Sequence, residues 1–170
     1  MQIEAAQQTE QRGIEKRVVP FKQKRILLVD DDPLLLGSSQ EMLLKYMRRE
    51  GEFLYAVSSG IMGISTLRAI SMNPAKSLTH IITDLAMPYW NGEDIIREAR
   101  ELEFDKRFGT EFYIFSTNES EGSAAAARVG AQFIYKPILP VGKEKYRISR
   151  IAISNLYRAI YGTEFQRKVA

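Results

Sequence analysis

The sequence contains no cysteine. That excludes a disulfide framework, a thiolate metal site and a cysteine nucleophile. It has one histidine, His80, so a centre needing two imidazoles is excluded as well. No apolar run is long enough to span a membrane. The N-terminal residues MQIEAAQQTEQRGIEKR lack the apolar core of a signal peptide, and a cytoplasmic location is the expectation. No internal repeat is visible. What is present is the balance of an ordinary globular domain: 170 residues, 45% apolar and 26% charged.

The net charge of +3 is unevenly spread. Between positions 141 and 170 stand Lys143, Lys145, Arg147, Arg150, Arg158, Arg167 and Lys168 against Glu144 and Glu164. A basic tail of this kind can meet nucleic acid or an acidic partner. A solvated helix face explains it more simply, and nucleic acid is not the expected partner. Residues 1–23 carry Gln, Glu, Lys and Arg with little apolar periodicity, and are expected to form a flexible tail or to order only against a partner. The folded domain is expected over 24–161, with a short tail at 162–170.

Within that span, short β-rich runs alternate with helical patterns. The runs are 25–29 (RILLV), 53–57 (FLYAV), 80–83 (HIIT), 112–115 (FYIF) and 132–135 (QFIY). Amphipathic stretches lie at 34–49, 60–72, 91–102 and 143–161, and an alanine-rich stretch at 119–129. Five strands alternating with five helices predict a doubly wound α/β fold: a parallel sheet with right-handed crossovers and helices on both faces. The segment 103–110 reads as a long loop. His80, a lone histidine opening a strand, reads as a surface or sheet-edge residue, and Trp90 as a loop anchor. Tyr146, Tyr157 and Tyr161 are candidates for an aromatic surface or for core packing.

In an open parallel sheet, ligands bind beyond the carboxyl ends of the strands. After RILLV come Asp30 and Asp31; after HIIT comes Asp84. After FYIF come Ser116 and Thr117; after QFIY come Lys136 and Pro137. Asp32 precedes Pro33 and is assigned to capping the helix that starts there. That leaves Asp30, Asp31 and Asp84 close together. Three neighbouring carboxylates need a counter-charge. A hard divalent cation supplies it, and Mg²⁺ accepts a few protein oxygens together with phosphate oxygens. A carboxylate beside Mg²⁺ and a lysine can attack phosphorus. Mg²⁺, Lys136 and the Ser116 hydroxyl would each hold one phosphoryl oxygen, and one aspartate would carry the group. No substrate pocket or general base is apparent.

The segments VDDDP (29–33), IITDLAMPYWNG (81–92), FYIFSTN (112–118) and GAQFIYKP (130–137) together resemble a response-regulator receiver domain, in order and in spacing. The resemblance implies a flavodoxin-like sheet of five parallel strands in the order 2-1-3-4-5. It implies that Asp84 is the phosphoacceptor and that Asp31 binds Mg²⁺ directly. Asp30 would bind it through water, and the Ala86 carbonyl would complete the protein ligands. Lys136 would pair with the phosphoryl group, across a cis bond to Pro137. Ser116 would be the switch hydroxyl and Phe133 the switch aromatic. Ala86 and Asn118 would flank the phosphoryl group. Thr117 stands where the family usually has alanine or glycine, and GAQFIYKP is one residue shorter than the commonest spacing. The implied donor is a phosphohistidine on a histidine kinase or a histidine phosphotransfer protein. The implied output is a protein contact through the helix 4–strand 5–helix 5 face, which would also serve a homodimer. Nine residues follow Tyr161, too few for a DNA-binding or enzymatic output domain. The same segments are compatible with the receiver of a hybrid histidine kinase, or with a receiver fold used as an interaction module without phosphorylation. A haloacid-dehalogenase-type phosphatase fits less well, because that family needs an acid where Ala86 stands.

Overall fold

The computed structural model describes residues 23–47, 50–140 and 146–162. Residues 1–22 of the expected N-terminal tail, most of the expected C-terminal tail and several of the basic side chains near the C-terminus lie outside the described residues.

Five strands form one parallel sheet: β1 (Arg25–Val29), β2 (Phe53–Val57), β3 (His80–Thr83), β4 (Glu111–Ser116) and β5 (Gln132–Tyr135). Their order is β2-β1-β3-β4-β5 and every neighbouring pair is parallel, as expected. Strand side chains alternate between faces, and the two cores follow that alternation. Leu27, Val29, Ile81, Phe112 and Ile114 face one side, under α2 (Gly60–Ser71), α3 (Gly92–Glu101) and α5 (Glu119–Val129). Ile26, Leu28, Ile82, Tyr113, Phe115 and Ile134 face the other, under α1 (Pro33–Tyr46) and α6 (Arg150–Tyr161). Burial on both faces is why the strands read as continuous apolar runs.

Helix starts follow the capping chemistry. Asp32 accepts the Leu34 and Leu35 N–H groups at 2.8 and 3.1 Å, with Pro33 as the first helical residue. Asn91 and Asp94 form a reciprocal capping box at the start of α3.

Several expectations are corrected. The segment 103–110 is not an open loop: it contains a short helix, α4 (Phe104–Phe108). Phe104 is fully buried and meets Phe108 edge to face, and Arg100 pairs with Asp105 at 2.7 Å. Hydrophobic burial at one position and an ion pair at the next hold what composition alone leaves open. The helix expected over 143–161 begins only at Arg150, capped by Ser149. Ahead of it, β6 (Ile138–Pro140) and β7 (Tyr146–Ile148) form a two-stranded antiparallel ribbon, closed at its base by the Ser149 N–H donated to the Pro137 carbonyl at 3.0 Å. The first amphipathic helix, expected over 34–49, runs Pro33–Tyr46 among the described residues, with positions 48 and 49 outside them. The described α-helices number six with α4 included, one more than expected, and Pro74–Lys76 adds a single 3-10 turn.

His80 is not at the surface. β3 lies mid-sheet between β1 and β4, so its side chain is 2% exposed. Its ring stacks on Tyr113 with centroids 6.0 Å apart, and Nδ1 lies 2.7 Å from Thr79 Oγ1. No described peptide bond is cis, so Lys136–Pro137 is trans, the form an X–Pro bond favours unless its surroundings override it. Tyr157 belongs to the core. It is 2% exposed and donates to the Met42 and Leu43 carbonyls, with Tyr46 and Tyr161 against its ring.

Candidate functional site

The ladder hydrogen bonds continue one residue past the strands and bring the polar groups together. The Asp84 N–H donates to the Val29 carbonyl at 2.8 Å, which sets Asp84 beside Asp30. The Lys136 N–H donates to the Ser116 carbonyl at 2.9 Å. Lys136 then extends across the carboxyl edge of the sheet. Its Nζ lies 2.9 Å from Asp30 Oδ2 and 2.5 Å from Asp84 Oδ1, and 5.4 Å from the centre of the Phe115 ring. Lys136 and Asp30 are each 2% exposed, and Asp84 is 9% exposed.

The second oxygen of each carboxylate takes a backbone donor. Asp30 Oδ1 accepts the Asp32 N–H at 3.1 Å, and Asp84 Oδ2 accepts the Ala86 N–H at 3.0 Å. Burial pushes the Asp30 carboxyl up, against the pull of Lys136 and with the charge of Asp84 adding to the rise. Burial alone would lower Lys136, but the combined attraction of Asp30 and Asp84 outweighs it and holds the ammonium raised. The two buried carboxylates thus share one lysine, which their combined attraction keeps charged.

Asp31 lies at the same strand end, half-buried, and takes no part in the Lys136 network. Among the described residues no three acidic or histidine side chains converge closely enough to hold a metal ion. The three-carboxylate cluster expected from the sequence is therefore not assembled. Lys136 supplies the counter-charge to Asp30 and Asp84 directly. The donors still suit a hard cation: Asp30, Asp31 and Asp84 offer carboxylate oxygen, Ala86 offers a carbonyl, and Mg²⁺ needs one or two protein carboxylates.

Ser116 is 4% exposed at the end of β4. Its hydroxyl accepts the Asn118 N–H at 3.3 Å, and it is not drawn to Lys136 or Asp84. Thr117 and Asn118 are exposed, and Asn118 caps α5 through the Glu121 N–H at 3.1 Å. Phe133 is half-buried in β5, against the core on the α5 side.

Two positions that sequence reasoning missed shape the site. Gly92 starts α3 directly against the Asp84 backbone: a methyl group there would overlap the Asp84 carbonyl oxygen and lie 3.1 Å from Thr83 Cγ2. In the sequence the Asn91–Gly92 pair reads as a turn that also lets the next helix start; its contact with the Asp84 backbone carries no local signal. Gly122, in α5, touches Phe133 and Ser116. A glycine inside a helix is the signal that could have found it.

This arrangement can present a carboxylate oxygen of Asp84 to an electrophile. It can balance negative charge with Lys136 and hold the acid in place through the Ala86 N–H.

No family model matches the sequence, and no curated protein does. Solved structures do resemble it in fold. The chemotaxis protein CheY4 of Vibrio cholerae is 18% identical, with 86% of this chain and 98% of that one covered at a TM-score of 0.58. A response-regulator receiver domain protein from Clostridium thermocellum is 22% identical, with 86% and 98% covered at 0.57. The receiver domain of the sensor histidine kinase PA1611 from Pseudomonas aeruginosa is 20% identical, with 83% and 99% covered at 0.59; that structure has a magnesium ion coordinated in its active-site cleft. The chain has the fold of response-regulator receiver domains.

Proposed function

We propose that this chain is a phosphoacceptor receiver, with Asp84 as the residue that carries the phosphoryl group. One observation supports it above the others: buried Lys136 bridges Asp84 and Asp30 at the carboxyl edge of the sheet. An Asp84 carboxylate oxygen attacks phosphorus of a phosphohistidine. The P–O bond forms as the P–N bond breaks; the electron pair of that bond stays on the ring nitrogen, and the imidazole leaves neutral because its other nitrogen already carries a proton. Phosphoryl transfer of this kind depends mainly on positioning and on neutralising the oxygens. Lys136, already 2.5 Å from Asp84, pairs with a phosphoryl oxygen once the group is in place. The Ala86 N–H fixes the orientation of Asp84. Asp30, Asp31, Asp84 and the Ala86 carbonyl would hold Mg²⁺, whose charge would offset that of the phosphoryl oxygens. Ser116 is the third donor, released from the Asn118 N–H. The donor is a histidine kinase or a histidine phosphotransfer protein. The output is a protein contact through α5, β5 and α6, a face that also suits a homodimer.

The test is incubation with acetyl phosphate, with and without Mg²⁺, read by intact mass beside Asp84→Ala. One added phosphoryl group that needs both Mg²⁺ and Asp84 supports the reading. No adduct under conditions where Mg²⁺ binds would overturn it, in favour of an interaction module with a receiver fold.

A further inference from the structure

Gly122 lies in α5 and is buried. A helix interior disfavours glycine relative to alanine. Its φ is not positive, so backbone freedom does not explain the residue. Contact does. A methyl group at this position would overlap Phe133 Cε2, lie 2.9 Å from Cδ2 and lie 3.2 Å from Ser116 Cβ. The bare backbone of α5 seats the edge of the Phe133 ring and backs Ser116 at the same point. On its far side, the Gly122 N–H donates to the Asn118 carbonyl at 2.8 Å, and the Asn118 N–H donates to Ser116 Oγ at 3.3 Å. An unbroken path of contacts therefore runs from the ring in β5 through Gly122 to the hydroxyl at the end of β4.

We infer that Gly122 is a positioning residue: its missing side chain lets the Phe133 ring pack on α5 beside Ser116, and this sets where the Ser116 hydroxyl stands. The functional consequence rests on Asp84 being the phosphoacceptor; the packing relationship does not. Phe133 is half-buried on an edge strand, so a ring displaced from Gly122 has solvent to move into and the fold survives.

The full chain is compared as wild type, as Gly122→Ala and as Gly122→Ala/Phe133→Leu. In unphosphorylated protein, NMR should show that Gly122→Ala moves the Phe133 ring signals and shifts the Ser116 and Asn118 amides. The double variant, with a smaller side chain at 133, should return those two amides toward wild type. Labelling with acetyl phosphate should then give a phosphorylated fraction about threefold or more below wild type for Gly122→Ala, since a hydrogen bond to a charged group is at stake, with recovery in the double variant. Unchanged Phe133 and Ser116 signals in Gly122→Ala would overturn the inference. So would labelling equal to wild type. If the wild type itself takes no phosphoryl group, the phosphoacceptor reading falls, and the NMR comparison alone decides the packing relationship.

Discussion

Lys136 stands 2.5 Å from Asp84, and both side chains are withdrawn from solvent. The same ammonium holds Asp30 at 2.9 Å. Breaking a buried pair by removing one partner strands an uncompensated charge, which costs about 3–5 kcal/mol. Lys136→Met should therefore unfold at markedly lower urea than wild type at neutral pH. The sign of the pH dependence follows from Asp30. Its folded pKa is raised above the ordinary 3.8, so the burden of its charge is full above the folded value and vanishes as pH falls toward 3.8. The deficit of Lys136→Met should shrink in mild acid. In wild type, Lys136 contributes its stabilisation fully below 10.5 and loses it as pH rises through its raised folded value. Urea melts across that range should show an alkaline loss in wild type that the variant lacks.

Ala86 donates its N–H to Asp84, but its methyl group has no means of holding a water molecule. A phosphoryl group on Asp84 should decay slowly without a phosphatase, and Ala86→Asn should hasten the decay. Intact mass followed over time after removal of acetyl phosphate gives both rates. A half-life of seconds in wild type would refute this expectation.

Glu93 joins α3 to α5. Oε2 takes Arg97 Nη2 at 2.6 Å, and Oε1 takes the Arg128 guanidinium, with Nε at 3.1 Å. The Arg128 hydrogen bond holds the Glu93 carboxyl below its ordinary 4.5. That contribution is present above 4.5 and is lost as pH falls through the lowered folded value. Both arginines are about half exposed, so solvent screens the pairs. Glu93→Gln should cost about 1 kcal/mol at neutral pH and close to nothing in acid, as read by thermal melts at the two conditions.

Gly92 permits α3 to start against the Asp84 carbonyl. Gly92→Ala forces backbone apart where no flexible side chain can yield, at a cost of about 1–3 kcal/mol. Acetyl phosphate labelling of Asp84 should slow in the same variant, because the overlap displaces the acceptor's own peptide unit. Wild-type stability in Gly92→Ala would show that the α3 start relaxes without strain.

The strands were legible because burial on both faces leaves an apolar run with no alternation to confuse it; their order was implied only by the resemblance to receiver domains. The run RILLV is β1 itself. Asp32 and Pro33 fixed the start of α1 through local chemistry, a cap and a preset φ, which no distant contact needs to support. Residues 104–108 were not legible, because their helix depends on Phe104 reaching a core built by residues far away in sequence. The ribbon of β6 and β7 was hidden for the same reason. Ile148 has helical neighbours by spacing, yet it pairs with Ile138 and the helix waits for Ser149. His80 looked exposed because a single polar residue at a strand start carries no information about which strand lies mid-sheet.

The sequence by itself determined which groups would meet at the carboxyl edge of the sheet. In a parallel sheet, whatever follows each strand emerges on one side, so Asp30, Asp84, Ser116 and Lys136 had to gather there. It could not determine how they would share charge. Only the tertiary structure decided that Lys136 bridges Asp30 and Asp84 and leaves Asp31 apart, because burial makes a single ammonium settle where two desolvated carboxylates can reach it. The contact of Gly122 with Phe133 and Ser116 was likewise decided in three dimensions, since it joins a helix to the ends of two strands and no local spacing encodes it.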